Sequence, residues 1–243
     1  MSATYVSTAE PSRRLPEGRP GAAGPLGAAG LCLVALALTW VVTALVPAGQ
    51  FKDAVALHDL TLLGHTHAAT VAKAVLLSLS TPLFIAWIVA LIAVALIRER
   101  PRVALAAGLV MALSPLTAEA LKPLLAHPHT RIGAITVGPA SWPSGHSSAA
   151  LALVLCAVLV APARRRAIVG ALGAGFAVAV GCSLVILAWH MPSDVFGGYL
   201  LAALWVTLAV AGLRAADRRW PAARSGLRPG SEGVRAVRAR VPQ

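Results

Sequence analysis

Six apolar runs, near 27–47, 70–97, 102–121, 146–162, 167–189 and 194–213, punctuate the chain, and almost all of its charge falls between them. Each run supplies the roughly 20 residues that a helix needs to cross a bilayer. Inside hydrocarbon a segment must satisfy its own backbone hydrogen bonds, so runs of this length are read as helices. Composition agrees, because 58% hydrophobic and 12% charged residues, with a mean hydropathy of +0.76, lie far outside the range of water-soluble domains of 243 residues. The expected fold is all-α, a polytopic membrane bundle of six transmembrane helices over residues 26–213. Residues 1–25 and 214–243, rich in Arg, Pro and Gly, are expected to be flexible cytoplasmic tails, the second one basic. No internal repeat and no second domain is evident.

Turn chemistry or charge marks four of the five breaks between runs: Pro47 and Gly49, Arg98 to Arg102 with Pro101, Gly138 to Pro143, and Arg164 to Arg166. The first run follows Arg13, Arg14 and Arg19 as a secretory signal would. It has no convincing small-residue cleavage site and five runs follow it, so it is read as an uncleaved helix. Arg-rich breaks alternate with Arg-poor ones, which under the positive-inside rule places both termini in the cytoplasm of a multi-pass protein of the cytoplasmic membrane. All seven histidines (58, 65, 67, 127, 129, 146 and 190) then fall on the outer side. Residues 51–68, which mix Phe51 and several leucines with His and Asp, are expected to lie in the interface near them.

A net charge of +12 invites a nucleic-acid reading, but topology and attraction to anionic inner-leaflet lipid already account for most of the basic residues, so no nucleic-acid partner is expected. Cys32, Cys156 and Cys182 fall inside runs without metal-ligand spacing and are read as small packing residues, with no disulfide.

The chemistry concentrates in two short segments. Ser141-Trp142-Pro143-Ser144-Gly145-His146 opens the fourth run, and His190-Met191-Pro192-Ser193-Asp194 joins the fifth to the sixth. A His and an Asp spaced i, i+4 meet on one helix face, so Asp194 can accept the proton of one ring nitrogen of His190 and leave the other nucleophilic. Pro and Ser are ordinary helix-start residues. A helix start is also an anion site, with unpaired N–H groups and the positive end of the macrodipole turned to the ligand, and Gly145 permits close approach. Lys122 ends the third run, with Glu119 one turn earlier, in a chain whose other lysines are Lys52 and Lys73. Gly197 and Gly198 are expected to let the sixth helix pack closely.

In that order, Lys122, Pro143-Ser144-Gly145-His146 and His190-x-x-x-Asp194 resemble the three-part signature of the type 2 phosphatidic-acid phosphatases, which share their site with the vanadium haloperoxidases. The resemblance covers roughly residues 70–212. It implies a membrane lipid phosphatase in which His190 attacks phosphorus to form a phosphohistidine, Asp194 orients it and His146 protonates the leaving oxygen. It places Lys122, Ser144, Gly145 and either Arg131 or His127 on the phosphate, with no metal or cofactor. Two departures stand out. The Arg-Pro pair expected after the Lys reads His127-Pro128-His129-Thr130-Arg131, and Ser183-Leu184 stands where the family has Ser-Arg. Losing one preorganised cation weakens phosphoryl transfer, which depends on charge stabilisation.

The expected function is hydrolysis of a lipid phosphomonoester or diphosphate, of phosphatidic-acid or polyprenyl type, at the outer membrane face. Two other classes stay open: a relative that binds lipid phosphate without turnover, favoured by Leu184, and a small transporter. Polar groups clustered at one face, not at the midplane, speak against transport.

Overall fold

The computed structural model describes residues 21–65 and 67–220, and within them every regular element is helical. The helices are α1 (Ala23–Leu45), α2 (Pro47–Thr61), α3 (His67–Leu77), α4 (Thr81–Ile97), α5 (Pro101–Leu121), α6 (Gly145–Val160), α7 (Arg166–Ile186) and α8 (Pro192–Arg219). Most of both expected tails lies outside the described residues. Of the parts inside, α1 begins at Ala23 and α8 continues past 213 to Arg219.

Among the described residues, four helices are long and apolar enough to cross a membrane: α1, α5, α8 and α7 with the short turn that leads into it. α4 and α6 are as apolar but shorter, at 17 and 16 residues. At 1.5 Å per residue they reach only about 25 Å, so length alone does not bring the count to six. α2 and α3 meet at 103° and together are apolar enough for a broken span.

The run at 70–97 is not one helix. It divides into α3 and α4 across Ser78 to Ser80, where the Ser78 hydroxyl and N–H both turn back to the Val75 carbonyl, at 2.6 and 3.2 Å. Pro82 sits in the first turn of α4, where its missing N–H costs nothing, whereas inside a continuous helix its ring would clash with the preceding turn. The tight turn from α4 to α5 puts Glu99 at φ 55°, with the Arg100 N–H donating to the Ala95 carbonyl at 2.9 Å, a Schellman closure.

α6 is the hub. It packs against α5, α7 and α8, with α4 alongside, while α1 lies along α8 and α3 along α7. Small residues fill many of the helix contacts: Ala107 of α5, Ala150, Ala152 and Cys156 of α6 and Ala202 of α8 are fully buried, whereas Leu31, Ile97, Leu105 and Leu172 point outward. That inversion suits lipid as the solvent, because small residues bring helices close and lipid covers the large apolar side chains.

Residues 122–144 cross one end of the bundle without helix. They are strapped down from two sides. The Trp40 indole donates to the Leu125 carbonyl at 3.1 Å, and the Thr130 hydroxyl donates to Gln50 Oε1 at 3.3 Å. Ile132, Ile135 and Val137 turn into the core. Against this segment stand the C-terminal ends of α5 and α7 and the N-terminal ends of α6 and α8.

Candidate active site

α6 starts where Ser144 caps it. The Ser144 hydroxyl accepts from the Ser147 N–H at 3.4 Å, and the Ser147 hydroxyl donates back to the Ser144 carbonyl at 3.1 Å. Ser144 is fully buried, so its hydroxyl is spent on the cap and not on the open face. Gly145 meets the close approach expected of it, but the group that approaches is protein: a Cβ there would stand 2.5 Å from Glu119 Oε1. The same oxygen pairs with Lys122 Nζ at 2.7 Å. A carboxylate therefore rests between the lysine and the helix start, where the macrodipole attracts negative charge.

α7 ends in a second Schellman motif. Ala188 takes the left-handed position at φ 53°, its N–H donates to the Val185 carbonyl and the Trp189 N–H donates to the Leu184 carbonyl, both at 2.9 Å. An alanine there costs about 1 kcal/mol relative to the right-handed region, and the turn delivers Trp189 and His190 to the end of the bundle. α8 begins two residues later, with Pro192 in its first turn. Asp194 Oδ2 accepts from the Met191 N–H at 2.8 Å and faces His190 Nδ1 at 3.3 Å. His190 is buried at 8% exposure and Asp194 at 0%. The carboxylate thus holds Nδ1 as the protonated nitrogen and leaves Nε2 as the one available for chemistry. Asp194 Oδ1 is buried with no hydrogen-bond partner.

One cleft of about 450 Å³ gathers Glu119, Lys122, Ser141, His146, Trp189 and His190, with Gly138, Pro139 and Ala140 as its remaining wall. His146 is exposed to it, its ring set edge-on to Trp189 with centroids 6.1 Å apart. The first helix turns of α6 and α8 are locked together by the Ser144 N–H, which donates to the Asp194 carbonyl at 2.9 Å. Two histidines, one in the first turn of α6 and one on the turn between α7 and α8, an orienting carboxylate and a lysine at the rim can hold an anion, attack it and exchange protons with it.

The remaining expected phosphate contacts lie elsewhere. His127 is tucked under the crossing segment, with Nδ1 3.0 Å from the Leu125 carbonyl, its ring edge-on to His129 at 4.7 Å, and its buried Nε2 without a partner. Arg131 is exposed beside His58 and His129 and does not line the cleft, because Ile132 and Ile135 on either side of the turn at Gly133 are drawn inward. Leu184 is fully buried in the core, so α7 presents no cation there. His129 Nε2 lies 2.9 Å from the Ser141 hydroxyl. Burial lowers the pKa of the His129 imidazole, and the charge of Asp194 opposes that shift. Among the described residues no three or more His, Cys, Asp or Glu side chains are grouped to hold a metal ion.

Sequence reasoning missed Trp189 and Asp53, and named Ser141 only as the first residue of its run. Asp53 of α2 accepts from the Ser193 N–H and hydroxyl at 3.0 and 2.6 Å, inside the His190–Asp194 segment itself. Scarcity was the available signal: with nine acidic residues in 243, each one near an apolar run needs a reason.

No curated protein matches the chain. A crystal structure of a transmembrane PAP2-type phosphatidylglycerolphosphate phosphatase from Bacillus subtilis superposes with a TM-score of 0.62 at 22% identity, covering 80% of this chain and 98% of that one. Residues 103–218, which hold Lys122, His146, His190 and Asp194, match the family model for the PAP2 superfamily. The part of this chain that builds the cleft is thus similar to the PAP2 superfamily in sequence, and the chain is similar in fold to a membrane PAP2-type phosphatase.

Proposed function

We propose that the protein is a membrane lipid phosphatase that hydrolyses a lipid phosphomonoester or diphosphate through a phosphohistidine at His190. The observation that carries this reading is that His190, with Nδ1 turned to the buried Asp194, lines the same cleft as His146 and Lys122. The match of residues 103–218 to the PAP2 superfamily and the membrane-type helices support it.

In the first step Nε2 of His190 attacks phosphorus, an N–P bond forms, and the bond from phosphorus to the lipid oxygen breaks. That oxygen takes a proton from His146. In the second step the oxygen of a water molecule attacks phosphorus, the N–P bond breaks, inorganic phosphate departs, and the water's proton returns to His146. Asp194 holds the His190 tautomer and stabilises its positive charge in between, as an orienting carboxylate does in a catalytic triad. Lys122 and the N–H groups of Gly145 and His146 bind the phosphoryl oxygens. To do so they exchange the Glu119 carboxylate for a more highly charged phosphate. No step requires a metal, so EDTA is expected to leave the rate unchanged.

The deciding experiment measures phosphate release by detergent-purified protein from phosphatidic acid, phosphatidylglycerol phosphate, and a polyprenyl phosphate and diphosphate. Turnover of at least one is expected. Binding without release would select the inactive, lipid-phosphate-binding reading. His146→Ala then tests the acid: on a lipid alkoxide leaving group the rate is expected to fall on the order of 100-fold or more, and on a nitrophenyl phosphate much less, because a good leaving group needs no proton. Equal losses on both would remove His146 from that role.

The site is proposed to face outside, at headgroup depth, with both termini in the cytoplasm of the cytoplasmic membrane. In intact cells an impermeant maleimide is expected to label a cysteine placed at Thr136 and to miss one placed at Arg165. Labelling in the reverse pattern would put the cleft in the cytoplasm. Both positions are exposed, so access and not burial decides the result.

A further inference from the structure

We infer that Asp53, which lies on α2 outside the region matching the family, is a positioning residue for the His190–Asp194 pair; this inference rests on the phosphatase reading above. Its carboxylate grips Ser193 with both oxygens, Oδ1 accepting from the backbone N–H at 3.0 Å and Oδ2 from the hydroxyl at 2.6 Å. Ser193 is the residue between Pro192 and Asp194 in the first turn of α8, and it is buried.

The start of α8 has no capping oxygen on its own Met191 or Pro192, so the N–H of Ser193 would be an unpaired donor in a buried place. Asp53 supplies the missing cap from a different helix, and its negative charge sits at the positive end of the α8 macrodipole. Three contacts then fix one turn. Asp53 holds Ser193 from α2, Ser144 holds the Asp194 carbonyl from α6, and the Asp194 side chain holds the Met191 N–H from within. Among the described residues the directional contact of His190 is the 3.3 Å approach to Asp194, so its aim follows the placement of this turn. α2 also packs on α7, whose end delivers His190 from the other side. With the α8 start closed by Asp53 and Asp194, the α6 start is left as the one that borders the cleft.

A group that only aims the nucleophile affects the chemical step more than substrate binding. With dioleoyl phosphatidic acid in detergent micelles, Asp53→Ala is expected to lower kcat on the order of tenfold to a hundredfold, with KM changed less than about twofold. Asp53→Asn, which keeps one acceptor, should recover much of the loss. Ser193→Ala should lower kcat less, and the double variant Asp53→Ala with Ser193→Ala no further than Asp53→Ala alone, as for two ends of one contact. Asp59→Ala, on an exposed position of the same helix, should change nothing.

A second readout does not depend on turnover. Carbethoxylation of His190 by diethyl pyrocarbonate, followed by mass spectrometry, is expected to run several-fold faster in Asp53→Ala and in Ser193→Ala than in the unaltered protein. If the unaltered protein releases no phosphate, the phosphatase reading fails while His190 reactivity still decides the clamp. Unchanged His190 reactivity with kcat within twofold, or a loss confined to KM, overturns the inference. If Asp53→Ala does not fold, the same criteria apply to Asp53→Asn and Ser193→Ala.

Discussion

His190→Ala protein is expected to release no measurable phosphate from any lipid that the unaltered protein hydrolyses, a fall on the order of ten-thousandfold or more. The size follows from the role. Losing a hydrogen-bond donor to the phosphoryl oxygens leaves the reaction path intact and costs a few kcal/mol, whereas losing the nucleophile removes the path. The fold should survive the change, since among the described residues the ring's polar contact is the 3.3 Å approach to Asp194 and the ring lines a cleft. Folding is checked by monodisperse elution and helical circular dichroism. Rapid quenching with a labelled substrate should trap an acid-labile phosphoryl group on His190 in the unaltered protein. Residual turnover above about one part in a hundred in a well-folded variant would mean that water attacks the substrate directly or that another side chain serves as nucleophile. Asp194→Asn should fall between His190→Ala and the unaltered protein: Oδ2 faces both the Met191 N–H and His190 Nδ1, so an amide that keeps its oxygen there preserves the turn but loses the charge that stabilises the His190 cation.

What the sequence made legible was whatever a local pattern can write. Long apolar runs announced α1, α5, α7 and α8 because a lipid-facing surface requires them residue by residue. Pro143-Ser144-Gly145-His146 announced a helix start, and Ser144 caps α6 as a Ser in that place should. The Ser80-Thr81-Pro82 step was equally local, yet averaging hydropathy over 70–97 hid it, and two helices were read as one. The crossing segment is different in kind. Its path depends on Trp40 and Gln50, each 80 or more residues from its partner, and on three apolar side chains finding the core. Those contacts turn Arg131 outward and His127 under the segment, and no pattern within 122–144 carries that information. Asp53 was illegible for the same reason, since its partner Ser193 lies 140 residues away.

Gly198→Val is expected to be the most damaging single change in the bundle. A Cβ at Gly198 would press into the Ser144 carbonyl oxygen and the Ser147 hydroxyl and come within 3.0 Å of the Ser148 N–H, so two of the three obstacles are the backbone of α6's first turn. Backbone cannot rotate aside as a side chain can. To admit the valine, α8 must back away from α6, which breaks the 2.9 Å bond from the Ser144 N–H to the Asp194 carbonyl and separates the two histidine-bearing ends. Overpacking a well-filled interior costs about 1–3 kcal/mol where side chains can adjust, and the cost here should exceed that range. Gly212→Ala on the same helix is the matched control, because a Cβ there meets nothing within 4 Å. Replacing glycine by alanine inside a helix should stabilise it by up to about 1 kcal/mol. Thermal unfolding in detergent should therefore shift downward and steeply for Gly198→Val, with loss of phosphate release, and hold or rise slightly for Gly212→Ala. If the two variants unfold alike, the close contact of α8 with the start of α6 does not exist in the folded protein, and the joint placement of His146 and His190 loses its structural basis.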